Sequence, residues 1–294
     1  MYPWCDRSGK VSYLKLATFI GVMLPGLWAA MLWGMGKAPQ PGGLGTSAMP
    51  VTNALHVIGD WSVRFLLITL AVTPLRRLAA WPRVITLRRM LGVTAFAYVA
   101  IHLTLYIVQQ NYRLLFVASE IALRIYLTIG FAAFIGLMAL AVTSTDGAMR
   151  RLGGKRWQRL HWLVYPLTML GLAHFFMQSK INVTEPVIMS GCFLWLMLYR
   201  LAHQWNKEKP LQAAHLAALA IAAALLTQLG EAAWYQFATG IGGERILGAV
   251  FEFRHVRPAW WVLAAGAAFI PLPSLAQRFW GAKRRSAARA VATA

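Results

Sequence analysis

The sequence has little acidic charge, and this shortage narrows the class of protein. Among 294 residues, 9 are Asp or Glu, whereas 29 are Lys or Arg. Charged residues make up 13% of the chain and hydrophobic residues 59%, whereas soluble domains average about a quarter charged and about half apolar residues. This composition excludes a disordered chain, a collagen-like repeat and a coiled coil. With a mean hydropathy of +0.54, it predicts an integral membrane protein.

Cysteine and the common catalytic motifs are also scarce. The two cysteines, Cys5 and Cys192, are far apart in the chain, which excludes a disulfide framework and a cysteine-rich zinc site. The sequence contains no HExxH, no phosphate-binding loop, no GxGxxG and no GxSxG. No acidic row suited to proton pumping lies in an apolar run. We therefore expect neither a soluble nucleotide-binding domain nor a nucleophile set.

Long apolar runs are abundant. A helix that crosses the hydrocarbon layer needs about 17–25 apolar residues. We predict eight spans, at 14–33, 54–73, 90–109, 122–143, 160–177, 186–199, 211–229 and 258–275, the sixth extending to 201. The first run exceeds an ordinary signal core and has no convincing cleavage site, so we expect a retained helix.

The basic residues alternate in number from one connection to the next. Loops facing the cytoplasm collect Lys and Arg. One side holds 20 of them: Arg7, Lys10, Arg76, Arg77, Arg83, Arg88, Arg89, Arg150, Arg151, Lys155, Arg156, Arg159, Arg200, Lys207, Lys209, Arg278, Lys283, Arg284, Arg285 and Arg289. The other side holds 7: Lys37, Arg113, Arg124, Lys180, Arg245, Arg254 and Arg257. The bias predicts that both termini face the cytoplasm. The long outer connections, 34–53 and 230–257, are either solvated connectors or surfaces for an outer partner; the second carries Glu231, Glu244 and Glu252.

Two histidines lie at nearly equal depth in different spans. His102 lies about 18 Å into the third span and His174 about 21 Å into the fifth, both measured from the cytoplasmic side at 1.5 Å per residue. Two imidazoles facing each other across a bundle are what a six-coordinate b heme requires, one on each face of the iron. The alternative is two buried histidines that bond helix carbonyls or hydroxyls.

His161 begins the fifth span, 13 residues before His174. It is a possible ligand or a contact to a second cofactor near the inner face, and Pro166 between the two histidines is expected to kink the helix. A second bis-histidine heme would need a partner at positions 88–91, which are Arg88, Arg89, Met90 and Leu91. We therefore expect one well-defined heme.

Other polar residues border the predicted spans. His56, Asp60 and Arg64 form one helix face at the outer end of the second span, suited to a propionate, a quinone headgroup or an interfacial ion pair. Arg88 and Arg89, like the basic run 150–159, could bind anionic lipid, heme propionates or the phosphate of flavin mononucleotide. The remaining histidines, His203, His215 and His255, lie near span ends or in a loop.

Several stretches resemble the MsrQ (YedZ) family, within the wider ferric-reductase-like transmembrane group. They are TPLRR (73–77), LRRMLGVTAFAYVAIHLTLY (87–106), YLTIG (126–130), LAVTSTDGAMRRLGGKRWQRLHWLVY (140–165) and HFFMQSK (174–180). The resemblance implies ligation of b heme by His102 and His174, a third family histidine at His161, and flavin mononucleotide. It also implies a bacterial inner-membrane subunit that carries electrons from the quinone pool or a cytosolic flavin reductase. Their acceptor would be a periplasmic molybdenum-cofactor subunit, which itself reduces methionine sulfoxide to repair oxidised proteins.

The resemblance covers about residues 10–205 and shapes the predicted architecture. We expect an all-α membrane bundle, with a six-helix ferric-reductase-like heme core in residues 1–205 and two further spans in residues 206–294. The chain departs from the family pattern in this extension and at Ile125, where Pro is expected after the arginine. The alternatives are a transporter whose histidines relay protons, an electron carrier with another acceptor, and a scaffold in which the histidines are only packed.

Overall fold

A computed structural model describes residues 3–5, 9–35, 38–39, 46–47, 50–179, 182–207, 209–252 and 256–279. Eight of the Lys and Arg residues counted above, together with one histidine, lie outside these ranges: Arg7, Lys37, Lys180, Arg254, His255, Lys283, Arg284, Arg285 and Arg289.

The fold is helical, as predicted. Within the described ranges, eight helices are long and apolar enough to cross a membrane. The strands found in the same ranges are β1 (Ala38–Pro39) and β2 (Thr46–Ser47), which pair antiparallel over two residues each. The all-α prediction and the eight predicted spans are therefore confirmed, although several boundaries shift.

The chain divides into two compact units, the first comprising Met1–Thr69 and Thr86–Lys180. Its helices are α1 (Tyr13–Gly34), most of α2 (Pro50–Leu78), α3 (Arg88–Gln109), α4 (Leu114–Leu123), α5 (Ile125–Val142), α6 (Asp146–Leu152), α7 (Gly154–His161) and α8 (Val164–Ser179). Short α4 precedes α5 and was not predicted; Arg124 between them has an extended backbone.

The fifth span is interrupted near its start. Trp162 and Leu163 form a turn between α7 and α8. Pro166 has no N–H to donate to the carbonyl of Trp162, four residues earlier, and its ring crowds that carbonyl. The turn before Pro166 agrees with the expected effect of this proline on the helix, and it separates the helix that bears His161 from the helix that bears His174.

The second unit comprises Leu70–Ile85 and Ile181–Ala294. It contains the end of α2, most of a 3₁₀ helix (Pro82–Leu87), α9 (Thr184–Trp205), α10 (Ala213–Thr239), α11 (Gly243–Gly248), a 3₁₀ turn (Ala249–Phe251) and α12 (Pro258–Ala267). Small residues bring its helices close: Gly266 packs on Ala220 and on the Trp195 ring, as membrane helix interfaces commonly do. The boundary at residue 205 stays a prediction.

The prediction of an outer connection beginning at residue 230 is wrong. Helix α10 continues to Thr239 and ends where Gly240 adopts a left-handed conformation, with φ of 74°. Glu231, predicted to lie in that loop, is 1% exposed. Its Oε1 lies 3.4 Å from Nη2 of Arg257. Burial of an acid is tolerated in a helix when a cation accompanies it, so the carboxylate did not mark the end of the span.

Candidate functional site

His102 of α3 and His174 of α8 face each other in the first unit. Their ring centroids are 6.3 Å apart and the ring planes are 85° from parallel. Two imidazoles that bind one metal from opposite sides have centroids about 6 Å apart, because each metal–nitrogen bond is about 2.0–2.1 Å long. The two helices thus bring together the pair that equal depth in the sequence predicted.

Each histidine is held by a backbone carbonyl of a neighbouring helix. Nδ1 of His102 lies 2.8 Å from the carbonyl oxygen of Leu55 in α2, and Nδ1 of His174 lies 2.7 Å from that of Tyr126 in α5. A carbonyl can only accept, so each Nδ1 carries the proton and each Nε2 keeps its lone pair. This tautomer, with this kind of outer partner, is typical of metal-binding histidine.

The donor set limits what the pair could hold. No cluster of three or more His, Cys, Asp or Glu side chains that could hold a metal ion occurs in the described part of the chain. A zinc ion usually takes three or four protein ligands, so two imidazoles do not complete its coordination. A heme iron has four in-plane nitrogens of its own and takes only axial ligands from the protein. The residues present therefore fit a b heme.

His56 lies next to the α2 residue whose carbonyl contacts His102. It follows Leu55 in α2, and its Nε2 lies 3.5 Å from Nε2 of Gln178, one turn beyond His174. Asp60, one turn further along α2, is buried, and Arg64 lies over the Trp61 ring at 5.2 Å. The predicted polar strip is present, with Gln178 as a neighbour that the sequence did not indicate.

His161 lies in different surroundings, at the end of α7. Its ring stacks on Trp157 with centroids 3.8 Å apart. Nδ1 lies 3.0 Å from the carbonyl oxygen of Trp157, and Nε2 lies 3.3 Å from Oγ of Ser144. Both ring nitrogens therefore have protein partners, and the ring belongs to a cluster separate from the facing pair.

The two arginines predicted to bind an anion begin α3. Nη2 of Arg89 lies 2.6 Å from a carboxylate oxygen of Asp146. Asp146 is the first residue of α6, whose N-cap Thr145 accepts a hydrogen bond from the Ala148 N–H. Arg89 thus pairs with an acidic residue of the same chain, which the basic sequence around Arg89 did not indicate. Arg88 is half-buried.

Sequence reasoning missed Leu55 and Tyr126, which hold the two histidines. They act through backbone carbonyls, so their side chains carry no chemical signal. The carbonyl and its histidine are 47 residues apart in one case and 48 in the other, and no local pattern in the sequence marks either carbonyl.

Comparisons with known proteins identify a matching family model and several relatives of this chain. A family model described as ferric reductase like transmembrane component matches residues 58–172, which include His102 and His161 and end two residues before His174. The chain is 40% identical over 197 residues to the protein-methionine-sulfoxide reductase heme-binding subunit MsrQ of Rhodospirillum rubrum, covering 67% of this chain and 88% of that protein.

Two further relatives carry the same description. The protein from Herminiimonas arsenicoxydans is 40% identical over 164 residues, covering 55% of this chain and 75% of the relative. The protein from Xanthomonas euvesicatoria pv. vesicatoria is 42% identical over 182 residues, covering 61% and 81%. No solved structure matches the chain.

Proposed function

The chain belongs to the MsrQ family, and from this premise we propose that it binds one b heme between His102 and His174. We propose that it serves as a membrane electron-transfer subunit of a protein-methionine-sulfoxide reductase. Methionine sulfoxide would be reduced on a separate catalytic subunit, since the sequence contains no motif for a nucleophile or a nucleotide-binding domain.

The observation that carries the proposal is the anchored pair of imidazoles. Leu55 and Tyr126 hold the Nδ1 protons of the histidines, which leaves both Nε2 lone pairs available to one metal. The carbonyl partners also fix the ring orientation and raise the basicity of each ligand. A heme held there would supply reversible one-electron chemistry. The two imidazoles and the apolar helices around them would tune its potential.

The electron donor and acceptor are finer parts of the proposal. We propose the quinone pool or a cytosolic flavin reductase as donor and a periplasmic molybdenum-containing reductase as acceptor, as the family resemblance implies. His56 with Gln178 would contact a propionate or a quinone headgroup at one end. Arg88, Arg89 and His161 would contact a propionate or the phosphate of a flavin mononucleotide at the other. The family resemblance implies a bacterial inner-membrane location, and the basic bias supports placing both termini in the cytoplasm.

Heme content tests the assignment. We expect the purified protein to give a reduced-minus-oxidised spectrum typical of bis-imidazole b heme. His102→Ala and His174→Ala should each lose the spectrum, because one axial ligand is removed. His215→Ala is the matched control: His215 lies exposed in membrane-spanning α10, so its replacement should leave the spectrum unchanged.

Two outcomes would contradict the proposal. Unchanged heme content in both ligand variants would exclude the pair as axial ligands. A colourless purified wild-type protein with substrate-dependent flux in vesicles would favour a transporter instead.

A further inference from the structure

Each facing histidine packs on a glycine of the helix that holds it. His102 lies against Gly59 of α2, and His174 lies against Gly130 of α5. Each glycine comes four residues after the carbonyl that its histidine contacts, Leu55 and Tyr126 respectively. In an α-helix that carbonyl also accepts the N–H of the residue four positions later, so the ring reaches the carbonyl by passing over the glycine.

A side chain at either glycine would occupy the space of the histidine ring. A Cβ at Gly59 would lie 2.8 Å from Nδ1 and 2.9 Å from Cε1 of His102. A Cβ at Gly130 would lie 2.7 Å from Nδ1 and 2.9 Å from Cε1 of His174. Both contacts are far below van der Waals separation. The obstructed group is a planar ring anchored at its own Nδ1, so it could yield only by leaving its carbonyl.

The two glycine–histidine contacts have nearly the same spacing along the chain. Gly59 precedes its histidine by 43 residues and Gly130 precedes its histidine by 44. Other glycines in the same membrane helices contact no histidine. Gly92 of α3 would meet a methyl group of Thr69 at an ordinary 3.7 Å, and Gly171 of α8 has nothing within 4 Å. Gly136 of α5 is also closely packed, but on the side chain of Leu167. The coincidence of glycine, carbonyl and histidine thus marks the two ligand positions.

We propose that Gly59 and Gly130 are positioning residues that set the orientation of the two axial imidazoles. This inference rests on the proposed heme function. Each glycine lets its histidine pack on the helix backbone, keeps the Nδ1–H bond to the carbonyl and fixes the ring plane. Together they hold the two planes close to perpendicular, 85° apart. Because axial-ligand geometry and outer hydrogen bonds tune a heme, the glycines would control its electronic state without touching the iron.

Electron paramagnetic resonance of the oxidised protein tests the proposal, because the low-spin ferric signal depends on the angle between the imidazole planes. Perpendicular planes give a highly anisotropic signal, whereas near-parallel planes give a rhombic one. The variants are Gly59→Ala and Gly130→Ala, and the control is Gly21→Ala in α1, where a Cβ meets nothing within 4 Å. Heme per chain and the midpoint potential are measured on the same samples.

We expect a highly anisotropic signal from the wild-type protein and from Gly21→Ala. Gly59→Ala and Gly130→Ala should each show a shifted or rhombic signal and a changed midpoint potential, or should bind heme about tenfold or more weakly. Loss of an outer hydrogen-bond partner weakens metal binding by this amount in metal sites. Variants with unchanged signal, potential and heme content would overturn the inference while leaving the proposed heme function intact. If neither variant accumulates, the wild-type signal decides, and a rhombic signal overturns the inference. A wild-type protein without heme would instead overturn the proposed function.

Discussion

Tyr98 illustrates how a single residue can join two membrane helices. Its hydroxyl donates to the carbonyl of Val22 at 2.8 Å and accepts the N–H of Gly26 at 2.9 Å. Val22 and Gly26 are four residues apart in α1, the spacing of a helical hydrogen bond. The hydroxyl therefore completes the backbone bonding of α1 beside Pro25, which lies inside that helix.

Replacement of Tyr98 by Phe removes this hydroxyl and little else. We expect Tyr98→Phe to lower the free energy of unfolding by about 1–3 kcal/mol, because a backbone donor and a backbone acceptor in an apolar setting lose a partner. Denaturant unfolding in detergent measures the change. Tyr112→Phe, at a tyrosine that is 69% exposed, is the matched control. Equal unfolding midpoints for the two variants would contradict this role for Tyr98.

At the scale of single residues, the sequence identifies the histidine side chains better than it identifies the residues that position them. His102 and His174 could be singled out because an ionisable residue inside an apolar run is rare and costly. Leu55, Tyr126, Gly59 and Gly130 could not, because carbonyls and missing side chains have no chemical signature. Their contribution depends on how α2 lies against α3 and α5 against α8, which no local pattern contains.

At the scale of secondary structure, the sequence likewise fails to predict where α10 ends. An apolar run followed by Gly230 and Glu231 predicts a helix that stops near residue 229. The helix instead continues, because Arg257 supplies a partner for Glu231 from 26 residues further along the chain. The break before α8 was predictable from Pro166, since proline acts on its own helix. Local causes were thus visible in the sequence and distant partners were not.

Substitutions at Glu231 and Arg257 test whether this ion pair anchors α10. We expect Arg257→Ala to destabilise the protein by about 3–5 kcal/mol, because it leaves a buried carboxylate without its partner. Replacing both residues by leucine should cost much less, because no buried charge remains. Thermal unfolding in detergent compares these variants with Arg245→Ala, at an exposed arginine of α11 outside the pair. Equal losses in the single and double variants would contradict the interpretation.

For the whole molecule, the distribution of Lys and Arg is the main evidence for orientation. The basic runs fall at alternate ends of successive spans, which predicts which connections face the cytoplasm. Helix count and composition alone carry no direction, because a bundle of apolar helices has no preferred side. Orientation therefore stays a prediction that the charges make and that labelling can test.

Cysteine labelling of intact cells tests the orientation. In a chain with Cys5→Ser and Cys192→Ser, a membrane-impermeant maleimide added to cells with a permeabilised outer membrane should react with Arg113→Cys, before α4. It should not react with Lys155→Cys, in α7, until the inner membrane is opened. Both positions are exposed, so disrupted cells supply the control for reactivity. Labelling of Lys155→Cys in intact cells would reverse the predicted orientation.

The central claim is that His102 and His174 share one heme iron. Near-infrared magnetic circular dichroism of the oxidised wild-type protein identifies both axial ligands, and a pyridine hemochrome assay on the same sample counts heme per chain. We expect a bis-imidazole band and one heme per chain. A band from any other axial pair, or a chain that carries no heme, would contradict the account.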